Sequence, residues 1–329
     1  MKFLLLFLLI GQTVVAQQNF LCSTQTTWQA TQGEDWYVLS RVKLAESLTN
    51  QISKGESKVA VEQILGAPNR VSTSKGETIW SYGLHQGCLF HVVFDASDHV
   101  LTWVTTSYRR FSEDELGSAT NVETSTPYPV FDAISWKMIR TISRPHRDRI
   151  HVAANCVKSL SPEMFCKDVD SIFGRPDYES KRGLLTYWIY RTRASTFLVF
   201  KFLENQEMIG SYFRHYNNNT GRLNCIPVSG VSGDAQGDEL LDQDCWLSTV
   251  PGYDWTVFRT GISVRMATYI VPGMTSTDVV SKLGKPTETS TVGELTIVKY
   301  FTSPASFLKI DLNKQDRVEK ITNIMFPIP

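Results

Sequence analysis

The 329-residue chain lacks most of the signatures by which a sequence declares its chemistry. It has no His-Glu-x-x-His zinc helix, no phosphate-cradling Gly-rich loop with Lys, and no Gly-x-Ser-x-Gly nucleophile elbow. It has no Cys-x-x-Cys pair, and His146 and His151 lack partner cysteines, so no zinc or other cofactor is expected. It has no excess charge of one sign: Lys+Arg and Asp+Glu are both 33. A dedicated nucleic-acid binder needs a basic face to neutralise phosphates, so none is expected. Past residue 16 no apolar run approaches the ~18 residues of a membrane span, which predicts no stable membrane insertion. What is present is ample core material. With 42% hydrophobic and 20% charged residues the chain is predicted to fold, at about 100–200 residues per domain into two or three domains.

Residues 1–16 carry the pattern of an export signal. Lys2 supplies the charged start, Phe3 to Ile10 the apolar stretch, and Val14-Val15-Ala16 the small-residue cleavage site. Removing Lys2 leaves 32 basic against 33 acidic groups. The first cysteine, Cys22, follows Leu21 well past Ala16, so a lipid anchor is not expected. A periplasmic or secreted destination makes disulfides reasonable for Cys22, Cys88, Cys156, Cys166, Cys225 and Cys245. Six cysteines allow 15 full pairings. Proximity in sequence favours Cys156 with Cys166 and Cys225 with Cys245, leaving Cys22 for Cys88.

An internal repeat is written in the glycines. Ile64-Leu65-Gly66-Ala67-Pro68, Ile172-Phe173-Gly174-Arg175-Pro176 and Lys282-Leu283-Gly284-Lys285-Pro286 share an apolar-Gly-x-Pro core. The glycines lie 108 and 110 residues apart (174 − 66 and 284 − 174). Fourteen residues after each come Trp80, Trp188 and Val298, and sixteen after come Tyr82, Tyr190 and Tyr300. Val61, Val169 and Val279 stand five before.

The pattern predicts one fold three times. Val61, Ile64 and Leu65 follow helical spacing, with Ser57, Ser161-Pro162 and Thr275 or Ser276 as starts. The Gly can take positive φ at the helix end, and the Pro stops the helix. Trp80 and Tyr82 then alternate on a strand, as do Phe90, Val92 and Phe94, with a polar turn and a third strand from Val100. The expected fold class is α+β: three tandem modules, each a short helix or helix pair on a three-stranded antiparallel sheet. The predicted modules span 17–108, 128–216 and 251–329. The linkers between them, 109–127 and 217–250, are rich in polar residues, with Gly and acidic groups. Asp35 to Leu39 resembles Asp254 to Phe258, and Phe131 to Ile139 is a candidate middle copy.

Pro272-Gly273-Met274-Thr275-Ser276-Thr277-Asp278-Val279, then Leu283-Gly284-Lys285-Pro286, Lys299-Tyr300 and the hairpin Leu308 to Ile321 resemble the SmpA/OmlA (BamE-like) module. The first copy keeps Gly55, Gly66, Pro68, Trp80 and Tyr82, and the second keeps Met164, Gly174, Pro176, Trp188 and Tyr190. In tandem architecture the chain is similar to the β-lactamase inhibitor protein. The resemblance implies a protein-binding role, since the envelope member serves the outer-membrane β-barrel assembly machine and the inhibitors dock a sheet onto a secreted enzyme. Fold alone does not fix activity.

The expected function is therefore a non-enzymatic scaffold of the bacterial cell envelope whose partner is another envelope or secreted protein. An inhibitor of a secreted or periplasmic hydrolase is the alternative. An enzyme with a site at His91 and Cys88 is the second alternative, although His85, His91 and His99 follow no ligand spacing. If Phe90, Val92 and Phe94 face the helix, strand parity turns His91 outward. The same parity places Val100, Thr102 and Val104 inward and Leu101 and Trp103 outward, with Phe197 and Phe307 as outward candidates in the later copies. These five residues, His91, Leu101, Trp103, Phe197 and Phe307, form the expected docking surface. Asn218-Asn219-Thr220 is a glycosylation sequon that matters only in a eukaryote.

Overall fold

The computed structural model describes residues 48–85, 88–107, 129–140, 149–161, 163–193, 195–230, 238–249, 259–302 and 306–324. The expected signal segment, Cys22 and the linker 109–127 lie outside them. The fold is mixed, with three antiparallel sheets and, among the described residues, seven helices.

Each copy of the repeat starts with an eight-residue helix: α1 (Lys58–Leu65), α4 (Cys166–Phe173) and α7 (Ser276–Leu283). Ser57 Oγ accepts from the Ala60 amide, and Thr275 Oγ1 accepts from the Asp278 amide while Asp278 accepts back. The middle helix starts at Cys166, so its cap residue is Phe165 and not Ser161. Phenylalanine offers no acceptor, and the Asp168 carboxylate takes the Phe165 amide instead, at 2.9 Å. Each helix ends at the repeated glycine. Gly174 has φ 70° and ψ −173°, and Gly66 and Gly284 match it within a few degrees. A Cβ is not tolerated there without strain. The tyrosine sixteen residues on donates its hydroxyl to the same glycine's carbonyl, at 3.0 Å from Tyr82, 2.7 Å from Tyr190 and 3.1 Å from Tyr300. The Gly and Tyr of the repeat are thus the two ends of one hydrogen bond that staples helix end to sheet.

The sheets have four, five and four strands, not three. The first is β1 (Arg70–Ser74), β2 (Glu77–His85), β3 (Cys88–Phe94) and β4 (Val100–Ser107). The second is β5 (Tyr178–Arg182), β6 (Leu185–Arg193), β7 (Thr196–Leu203), β8 (Met208–Tyr216) and β9 (Leu223–Gly230). The third is β10 (Glu288–Val292), β11 (Leu295–Phe301), β12 (Phe307–Leu312) and β13 (Val318–Ile324). The additional strands β1, β5 and β10 are polar edge strands with no buried face to announce them. Strand β9, and helix α5 (Glu239–Leu247), occupy much of the segment 217–250 expected as linker.

Three further helices are α2 (Pro129–Arg140), α3 (Arg149–Lys158) and α6 (Thr260–Ala267). The chain divides into two compact units. The first holds the described residues to Ser107 with α2 as far as Met138, and the second holds those from Ile139 onward. In the second unit α3 runs against β6, and α5 and α6 join one core with both sheets. That core contains Tyr187, Ile189, Phe197 and Val199 from the second sheet, Trp246 and Met266 from the helices, and Tyr300, Leu308 and Ile310 from the third sheet.

Candidate functional site: the outer sheet faces

Each sheet has an inner face, packed by the repeat's own helix, and an outer face. The inner faces hold Trp80, Tyr82, Phe90, Val92 and Phe94 in the first copy. His91, Phe197 and Phe307 lie on outer faces. Two of the three are nevertheless buried. His91 is fully enclosed, with Phe131 of α2 stacked on its ring at 4.8 Å. Phe197 is fully buried against Tyr216, at 5.9 Å edge-on, in the core that α5 and α6 close. These two residues are not surface docking residues, because a helix covers each face.

Trp103 is also placed otherwise than parity predicts. Val93 pairs with Thr102 but Phe94 pairs with Val100, so Leu101 is an extra residue in a β-bulge. The bulge flips every later side chain of β4. Trp103 pairs with Val92 and packs part-buried on the inner core, while Thr102 and Val104 turn to the outer face with Val93 and His91. Leu101, the bulged residue, is 40% exposed. The same bulge recurs at Ile209 and Glu319, at the spacing of the three glycines.

The His91 network is closed and neutral. Ser81 Oγ lies 2.8 Å from Nδ1 and Thr106 Oγ1 3.3 Å from Nε2. Thr106 donates its own proton to the Leu89 carbonyl at 3.4 Å, so Nε2 carries the ring proton and Ser81 donates to Nδ1. Burial pushes the imidazole down to about 3. A neutral ring with both nitrogens satisfied inside the sheet offers no proton to a substrate.

The second outer face carries a buried ionic cluster that sequence reasoning missed. Asp242 of α5 is fully buried and accepts from Arg214, also fully buried, from Tyr216 at 2.6 Å, Tyr269 at 2.5 Å and Arg265 at 3.0 Å. Burial alone would raise this carboxyl; Arg214 and the three other donors outweigh it and hold it below the ordinary range. Four donors saturate the carboxylate, so the cluster ties α5 and α6 to β8 and leaves no free valence for catalysis. A signal existed. Asp132 and Trp136 of α2 precede Gly174 by the same 42 and 38 residues by which Asp242 and Trp246 precede Gly284. All four are buried.

The third outer face differs. Phe307 occupies the register of Phe197 and Leu89, both fully buried, yet remains part-exposed. It stacks edge-on with Phe301 at 5.7 Å, and Lys299 stands 5.4 Å over its ring. Ile297 and Ile324 are likewise part-exposed on this face, and Lys320 is exposed. Lys309 pairs with Asp311 at 2.9 Å and Lys299 with Glu288 at 3.0 Å.

Among the described residues the two expected disulfides, Cys156 with Cys166 and Cys225 with Cys245, are not formed, and the Cys22–Cys88 pairing lies outside those residues. Cys156, Cys166, Cys225 and Cys245 are free thiols. Cys156 is buried in α3, whereas Cys166 is half-exposed on the first turn of α4. Cys225 pairs across the ladder with Arg214, and Cys245 is buried on α5. Burial raises Cys166 to about 11 and Cys245 to about 12, so neither is a thiolate nucleophile at neutral pH.

No protein-family model and no curated protein matches the chain. Among solved structures, an extracellular protein containing a SCP domain from Bacillus anthracis is similar at 13% identity, over 61% of this chain and 57% of its own length, with a TM-score of 0.16. The chain thus spans little more than half of that structure, and a likeness at this score carries no argument. No helix among the described residues is long and apolar enough to cross a membrane.

Proposed function

We propose that the chain is an exported, non-enzymatic protein-binding scaffold of the cell envelope, built from three BamE-like repeats, and that the outer face of the third sheet is its docking surface. One observation carries the reading: Phe307 stays part-exposed at the register where Leu89 and Phe197 are fully buried. The sheets at 70–107 and 178–230 satisfy that face with a helix bearing Asp-x-x-x-Trp, and a partner helix of like character suits the third. An aromatic anchor is the composition of a docking centre, and the lysines beside it suit the polar rim around one. The test is cross-linked capture from the native envelope fraction by wild type, Phe307→Glu and Trp103→Ala chains. One dominant partner is expected with wild type and Trp103→Ala, and its recovery falls about tenfold or more with Phe307→Glu. Equal recovery by all three chains overturns the assignment of the surface.

A further inference from the structure

The second copy carries a cleft of about 950 Å³ on its inner side, between the start of α4, the β5–β6 hairpin and the turn after β7. Cys166, Glu179, Trp188, Leu203, Glu204 and Gln206 are among its walls. Their counterparts in the first copy show what belongs there. Lys58 stands where Cys166 stands, each the first residue of its helix, and each backbone amide donates to the same turn at 2.9 Å. The Lys58 ammonium lies 5.8 Å from the Trp80 ring centre and 5.5 Å from that of Phe94, and it pairs with Asp98. Trp80 and Phe94 meet edge-on at 5.0 Å and 66°. Trp188 and Phe202 reproduce this pair at 5.0 Å and 63°. The aromatic corner is therefore kept, while a cysteine, too short and uncharged, replaces the lysine that fills it. In the third copy corner and cation are both lost: Val298 and Leu312 replace the rings, and Ser276 hydrogen-bonds Asp316.

The walls of the cleft carry four carboxylates, Asp170, Asp177, Glu179 and Glu204, against three cations, Lys167, Arg175 and Lys181, and Lys167 is engaged over the Phe165 ring at 5.9 Å. The Trp188 indole N–H donates to Glu179 at 3.1 Å, which makes the ring face more electron-rich. Glu204 adds a second exposed carboxylate on the rim. Lys181, 75% exposed, pairs with Glu179 at 3.4 Å and competes for it only through a solvated side chain.

We propose that this cleft receives a lysine or arginine side chain of a partner polypeptide, whose cation takes the place over Trp188 that Lys58 holds over Trp80. The site lies apart from the third outer face and stands or falls independently of it. The probe is the blocked tripeptide acetyl-Gly-Lys-Gly-amide, titrated into the full chain with nitrogen-15 tryptophan while the indole resonances are followed. Trp188→Phe assigns its resonance. A saturable shift of the Trp188 signal, with Trp80 unmoved, is expected, and the norleucine analogue should give none. Cys166→Lys supplies the cation internally and is expected to weaken binding about tenfold or more while leaving the Trp80 signal and the thermal midpoint unchanged. Glu179→Gln is expected to weaken it several-fold. No saturable shift, an equal response to norleucine, or unaltered binding by a folded Cys166→Lys chain would each overturn the proposal.

Discussion

His91 shows how one residue type takes different meanings from its cover. On an open strand it would titrate near 6.5; under Phe131, and between Ser81 and Thr106, it is held to about 3. An unfolded chain therefore takes up a proton below pH 6.5 that the folded chain refuses. The stability this neutral ring supports is complete above pH 6.5 and is lost as pH falls toward 3. Urea unfolding should show about 2 kcal/mol less stability at pH 5 than at about pH 7.5 from this residue. His91→Val, which installs the residue found at the same register in Val199, should flatten that slope. An unchanged slope in the variant would mean the ring is solvated. The alternation Phe90–Val92–Phe94 was enough to place His91 on the outer face, but its burial was not legible, because the covering Phe131 lies 40 residues further on.

At the scale of elements the repeat is a set of hydrogen bonds as much as a set of hydrophobes. Gly and Tyr recur together because the hydroxyl reaches the carbonyl of a residue that must adopt positive φ. Tyr300→Phe removes one such bond from a buried site and should lower stability by about 1 kcal/mol. Gly284→Ala should cost more, about 1–3 kcal/mol, since its backbone is strained for any L side chain and the new Cβ would meet Leu247 at 3.2 Å. Thermal midpoints of the two variants test the order; a milder loss for Gly284→Ala would sink the explanation. These local features were readable because backbone geometry dictates residue type. The bulges at Leu101, Ile209 and Glu319 were not, because a one-residue slip leaves composition unchanged while inverting every later side chain. Edge strands such as Arg70–Ser74 escaped for another reason: their half-buried positions, Arg70, Ser72 and Ser74, are polar, so the alternation leaves no hydrophobic period in the sequence.

Across the whole molecule, cover comes from outside each sheet's own strands. The outer face of the first sheet is closed by α2 and that of the second by α5, both from segments that follow their sheets in the chain. A chain stopped after Ser107 would expose Ile79, Leu89, Val93 and His91, each apolar side chain worth roughly 1.5–3 kcal/mol of burial. Such a fragment should bind a hydrophobic dye and aggregate, whereas one stopped after Arg140 should do neither. Equal behaviour of the two in light scattering and dye fluorescence would refute the role given to α2. Module boundaries drawn from the repeat alone place α2 with the second copy, since nothing in its sequence says which neighbour it joins.

The period of the sequence and the period of the structure are therefore out of phase. A duplication that copied residues from one glycine motif to the next would carry a lid for the sheet before it rather than for its own. Copies in such a chain cannot be gained, lost or shuffled as free-standing parts, and their outer surfaces are under selection by neighbours rather than by solvent. Drift in the first two outer faces is thus constrained from within the chain, and the third answers to whatever lies against it.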